Sequence, residues 1–211
     1  IAGLWQAPAT EDRASALLRP KSGEPGWLRI VEAAPVPGYE PLRSFGWAAM
    51  ELVVADVEAV SRSLAGTVFR EIGPPHDLGI AGDLRAMQVI GRAGEVVYLT
   101  QRGEIRNFAF RHVMGAVDRI FIAVLASPDL EAARAFYETH FEVSRGLDVR
   151  LPLGILNKAH DLPEGQKHRL CTLVLAGEQE VAGKIEIDDL GAHLSPRPTN
   201  SGELPPAVGL V

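Results

Sequence analysis

Four side chains have the types and settings to do chemistry: Glu51, Tyr98, Arg119 and Glu186. Each lies in an apolar, strand-like stretch: "WAAMELVVAD", "GEVVYLT", "VDRIFIAVLAS" and "GKIEID" respectively. A carboxylate among apolar neighbours is costly to ionise, so its pKa rises and it becomes a candidate acid or base. Glu51 is such a group; its competing reading is a strand-edge Glu that faces water. Tyr98 is either a core aromatic with its hydroxyl satisfied or a hydrogen-bond donor to a ligand. Arg119 opens its strand on the face expected to lie away from the following helix. Paired with Glu186, it makes either a structural ion pair or a clamp for a carboxylate or enolate, with Phe121 as an apolar wall.

The elements that must position these groups share one grammar. In "MELVVADVEAVSRSL", Met50, Leu52 and Val54 alternate with Ala49, Glu51 and Val53, which is strand periodicity. Asp56 then stands where an N-cap belongs, and Val57, Val60 and Leu64 follow at helical spacing. In the second stretch Ile120, Ile122 and Val124 are expected to meet the helix, leaving Arg119, Phe121 and Ala123 opposite. Ser127-Pro128 reads as a cap followed by Pro at the first helical position. Leu130, Ala133, Tyr137 and Phe141 then form the expected buried stripe.

Three strand-like pieces follow each helix, so the order β-α-β-β-β occurs twice, and a repeat of this length dictates the fold. The boundaries read as a C-terminal half unit at 1–35, full units at 47–103 and 117–190, and the first strand of a further unit at 206–211. Turn-rich or polar linkers fall at 36–46, 104–116 and 191–205. The chain is expected to be truncated at both ends. The fold class is α+β, with β-α-β-β-β units paired into cup-shaped mixed sheets. One unit leaves a sheet face bare, and two together turn the bare faces into a lined cavity. The expected partner is therefore a small-molecule ligand, and exposed sheet edges leave room for a homodimer.

Composition narrows the rest. Net charge is −6, with 46% apolar and 23% charged residues. No Lys/Arg run could track a phosphate backbone, so nucleic acid is not expected. No apolar run reaches the roughly 18 residues that span a bilayer, so no membrane partner is expected. Cys171 is the sole cysteine. It reads as a lone buried thiol in a reducing, cytoplasmic setting.

The repeat resembles the vicinal oxygen chelate superfamily, which includes glyoxalase I, bleomycin-resistance proteins, methylmalonyl-CoA epimerase and extradiol dioxygenases. The resemblance is carried by "MELVVADVEAVSRSL" with "GEVVYLT", and by "VDRIFIAVLASPDLEAARAFYETHF" with "GKIEID". It implies a small oxygenated, anionic substrate handled by proton transfer or oxyanion stabilisation. Metal-using members carry a His, sometimes a Gln or Glu, early in each first strand and a Glu in each last strand, ligating a divalent Lewis acid. Aligned this way, those positions fall on Ala49, Tyr98, Arg119 and Glu186, so Glu186 alone is kept. A divalent metal is then an option only in the third or the missing unit. The alternative is a metal-free, bleomycin-resistance-like binding protein, with an extradiol dioxygenase less favoured.

The six histidines, His76, His112, His140, His160, His168 and His193, all fall outside first-strand ligand positions and read as solvated or loop residues. "VIGRAGE" lacks phosphate-loop spacing and precedes a strand, so it reads as a β-turn.

Overall fold

The computed structural model describes residues 2–3, 5–78, 84–102, 113–175 and 183–208. The first β-α-β-β-β run is β3 (Gly46–Val54), α1 (Val57–Leu64), β4 (Arg70–Asp77), β5 (Leu84–Ile90) and β6 (Val96–Arg102). The second is β7 (Val117–Ser127), α2 (Leu130–His140), β8 (Val143–Pro152), β9 (Lys167–Leu175) and β10 (Lys184–Asp189), with α3 (Gly154–Ala159) inserted after β8. Earlier in the chain, β1 (Ser15–Leu18) and β2 (Leu28–Val31) form a separate antiparallel ladder.

Both runs join in one eight-stranded sheet, ordered β4-β5-β6-β3-β7-β10-β9-β8. The first strands of the two runs, β3 and β7, meet antiparallel at the centre. Each pairs in parallel with the last strand of its own run, β6 or β10. The two full units complete each other, and the four candidate strands lie side by side.

The helices start where their short polar caps dictate. Asp56 accepts a hydrogen bond from Ala59 N at 2.9 Å, and Asp129 accepts one from Ala132 N at 3.0 Å. The expected Ser127 cap is thus displaced by two residues. Ser127 instead closes a local turn, donating to Asp129 O at 2.9 Å. Val57 and Val60 of α1 pack on Met50, Leu52 and Val54, as expected. Leu130, Ala133 and Tyr137 of α2 pack on Leu173 and Ile187, but Phe141, just past the helix end, is 52% exposed rather than part of the stripe.

The opposite, concave face carries a cluster of its own, built on Ala49, Val96, Ile122, Val124 and Ala126. Leu42, Leu156, Leu190 and Leu194 come in over it from the 39–45 segment, α3 and the 190–195 segment. Burying one Val or Leu side chain contributes roughly 1.5–3 kcal/mol, so this part of the concavity is a second core and not an open bowl.

β7 departs from the expected alternation. Glu51 faces Ile122 but Leu52 faces Ile120, so β7 carries one extra residue at Phe121. This bulge switches faces part-way along the strand. Ile122 and Val124 consequently join the concave cluster, not the helix side, and Phe121 packs against that cluster too. The two outermost strands are also irregular. β4 contains Pro74-Pro75 and two register shifts, and β8 shifts between Arg145 and Asp148.

Candidate functional site

The ladder registers show which side chains share the concave face. Tyr98 stands beside Glu51, and Glu51 faces Ile122. Beyond β7, Ile122 stands beside Lys184, Val124 beside Glu186 and Ala126 beside Asp188. Neighbours across a ladder point to the same face. Glu51, Tyr98, Lys184, Glu186 and Asp188 therefore share the concave face, across the four strands β6, β3, β7 and β10.

Glu51 is only 7% exposed. Its carboxylate accepts a short hydrogen bond from the Thr100 hydroxyl. Burial pushes its pKa up to about 7, against the lowering effects of the Thr100 hydrogen bond and the Lys184 charge. Asp188 is 3% exposed and its Oδ1 is buried without a hydrogen-bond partner among the described residues. Burial, then the Glu51 charge, raises it to about 7 as well. Glu186, half-buried, is held well above the usual carboxylate range by burial and by Asp188 and Glu51. The Tyr98 hydroxyl is pushed up by burial and by the same three carboxylates. The carboxyls of this cluster therefore keep their protons to higher pH than ordinary carboxyls, which lets them donate hydrogen bonds and exchange a proton.

The structure does not bring Arg119 to Glu186. Glu186 pairs with Val124, five positions further along β7. Arg119 lies instead toward the start of the strand, where Gly26 of the β1–β2 segment closes over it. It is 3% exposed, and its Nη1 is buried with no hydrogen-bond partner among the described residues. Phe121 lies between Arg119 and the carboxyl cluster and packs on the concave apolar cluster.

Asp188, Lys184 and Thr100 were missed by sequence reasoning. A signal existed for two of them: Lys184, Glu186 and Asp188 alternate along β10, so the same period that placed Glu186 on the face places both neighbours there. The solvated reading of the histidines also needs correction. His168 is 5% exposed, and its Nε2 lies 2.6 Å from Asn157 Oδ1. The His193 ring centroid lies 6.1 Å from that of His160 and 6.5 Å from that of His168. His160 and His168 are held below the ordinary imidazole pKa, first by burial. His112 lies outside the described residues. The "RAGE" stretch forms the turn between β5 and β6, with Gly94 at φ +84°.

Solved structures match this architecture over nearly the whole chain. Glyoxalase I from Zea mays superposes with a TM-score of 0.60 at 14% identity, covering 93% of this chain and 59% of that one. A candidate dioxygenase from Bacillus subtilis gives 0.51 at 14% identity, covering 84% and 51%. The chain has the vicinal oxygen chelate fold. It spans about 60% of the length of the maize glyoxalase I chain. Methylmalonyl-CoA epimerase from Mycobacterium tuberculosis gives 0.46 at 10% identity, covering 71% of this chain and 90% of that one. No protein-family model matches, and no curated protein matches.

The registers also relate the positions that the resemblance aligned with the ligands of chelating members. Ala49 faces Val124 while Ile122 faces Glu51, so Ala49 and Ile122 exchange under the local two-fold relation of the seam. Tyr98 beside Glu51 and Glu186 beside Val124 exchange in the same way. The counterpart of Ala49 is therefore Ile122, three residues beyond Arg119. Ala49, Tyr98, Ile122 and Glu186 provide one carboxylate and no imidazole, which does not fit the divalent ion of the chelating members. Among the described residues, no group of three or more His, Cys, Asp or Glu is arranged to hold a metal. No helix is long and apolar enough to cross a membrane.

Proposed function

We propose that the concave face binds a small oxygenated metabolite and that Glu51 exchanges a proton with it. The observation that carries this reading is the state of Glu51: buried, held by Thr100, and raised to about 7. An acid or base works best with a pKa near the working pH. Tyr98 and the protonated forms of Glu186 and Asp188 would donate hydrogen bonds to an oxyanion developing nearby. Lys184 supplies the positive charge that an anionic substrate requires in a carboxyl-rich site. Phe121 forms an apolar wall, and Arg119 is a second, deeper cation for a longer anion. The names of the fold neighbours, a glyoxalase and a dioxygenase, are in keeping with oxygenated ligands.

A metal-free binding protein is the second reading. It is favoured by Ala49 and Ile122, which leave the first-strand positions without donors; the same two residues disfavour an extradiol dioxygenase. A cytoplasmic setting suits either reading, since Cys171 is buried and unpaired. Pairing with a second copy is compatible with both.

The test is solvent exchange. Small 2-oxo and 2-hydroxy acids are incubated with the protein in deuterium oxide, and loss of the carbon-bound proton is followed by NMR. Wild type should catalyse exchange of at least one compound, and Glu51→Gln should slow it by about 100-fold or more. Binding without exchange in both proteins would support the binding reading and remove the proton-transfer one.

A further inference from the structure

A cavity lies toward the β4–β5 end of the concave face, next to the apolar cluster on which Tyr98 also packs. Its volume is about 450 Å³, within the usual range for small-molecule sites. Its apolar floor comes from Ile72 on β4, Ile90 on β5, Ile155 on α3 and Leu42 of the incoming segment. None of Glu51, Tyr98, Glu186 or Asp188 lines it.

The walls are fixed before any ligand arrives. Leu42 is 5% exposed and holds φ +66°, a conformation that costs an L-residue energy unless its surroundings impose it. His160 Nε2 lies 2.8 Å from Leu42 O, which ties this wall to the end of α3. On α3 itself, Asn157 is 1% exposed and donates to Glu164 O at 3.0 Å and to Gln166 O at 2.9 Å.

Charge at the mouth sets the chemistry. Arg43, Arg70 and Lys158 stand around the opening together with Glu40 and Glu71. Both carboxylates are engaged: Glu40 lies 3.4 Å from Arg43, and Glu71 accepts from the Ser61 hydroxyl at 3.2 Å. Arg70 and Lys158 make no ion pair among the described residues. They come from different elements, one from β4 and the other from α3.

We propose that this cavity binds an organic anion with a short apolar body, the body on the isoleucine floor and the anionic head between Arg70 and Lys158. A guanidinium and an ammonium lining one cavity suit a carboxylate or a phosphate head, while the floor offers an alkyl or aryl body nothing polar to compete with it.

Octanoate, octyl phosphate and neutral octanol are the probes, titrated into the intact protein by calorimetry and by ligand-observed NMR. Octanoate or octyl phosphate should bind at least tenfold more tightly than octanol, and the stronger of the two identifies the head group. The double variant Arg70→Ala/Lys158→Ala should lose at least tenfold in affinity, and a charge-retaining Arg70→Lys should recover part of it. Glu51→Gln should leave probe binding unchanged, which separates this site from the proton-transfer site. Equal binding of all three probes, no binding of either anion, or anion binding unaffected by the double variant would overturn the proposal.

Discussion

Thr100 donates its hydroxyl proton to the buried carboxylate of Glu51, one strand away. This contact lowers the Glu51 pKa, but burial raises it further, and burial wins. The unfolded chain releases the Glu51 proton near the ordinary carboxylate value of 4.5, whereas the folded chain keeps it to about 7. Unfolding therefore releases a proton between those values, and stability falls as pH rises through that window. Urea midpoints measured from pH 4.5 to 8 should decline for wild type, by up to roughly 3 kcal/mol from this group. Glu51→Gln should flatten the decline, and an equal slope in the variant would contradict the assignment.

The same carboxylate acts on Asp188. The Glu51 charge contributes to holding Asp188 at about 7. In Glu51→Gln, carbon-detected NMR should show Asp188 titrating at lower pH. Asp188→Asn should raise stability at pH 8 by about 1–3 kcal/mol, because it removes a buried charge with an unpartnered oxygen.

Arg119 should trade stability for binding. A guanidinium that is 3% exposed and lacks a hydrogen bond at Nη1 strains the ligand-free protein. Arg119→Met keeps the apolar stem and removes the charge. Its melting temperature should rise by about 2–4 °C for each kcal/mol recovered. Binding of anions by the concave face should weaken in the same variant. A lower melting temperature would show that the guanidinium is stabilising as it stands.

Gly26 holds the β1–β2 segment against β7. At φ +103°, a side chain there would be strained, and a Cβ would lie 2.6 Å from the Ile120 carbonyl oxygen. Backbone cannot move aside as a side chain can, so Gly26→Ala should cost more than about 1 kcal/mol in chemical denaturation. Gly73→Ala is the control. Its Cβ would meet the end of the Gln88 side chain and not backbone, so the cost should be smaller.

Donor chemistry at Ala49, Tyr98, Ile122 and Glu186 predicts weak metal binding. Thermal melts with equimolar nickel, manganese or zinc should stay within about 1 °C of the metal-free curve. A stabilisation of several degrees that disappears in Glu186→Gln would reverse this expectation.

Much of the fold was legible because period and caps agree. Met50, Leu52 and Val54 do meet α1, and Asp56 does cap it. β7 was misread because the bulge at Phe121 adds a residue with no compositional mark. Alternation counted from Arg119 therefore assigns Ile122 and Val124 to the wrong face. Pairing was also out of reach. Local patterning cannot say whether a bare sheet edge meets its neighbour in the chain or another partner, yet that choice brings Glu51 to Glu186 and leaves Arg119 apart. The cavity toward β4 and β5 was invisible for the same reason, since its walls come from residues more than 100 positions apart in sequence.

Pro74 and Pro75 on β4 have a consequence for how copies of this protein behave when crowded. A sheet closed in the middle still ends in two outer strands, each with unpaired amide and carbonyl groups that could template another chain. Proline has no amide proton to offer, and the two register shifts of β4 spoil any straight ladder. At the far end, the β8 shift between Arg145 and Asp148 lies where those two side chains form a 3.3 Å ion pair. Both flanks are thereby poor surfaces for strand addition, which works against edge-to-edge growth of the eight-stranded sheet.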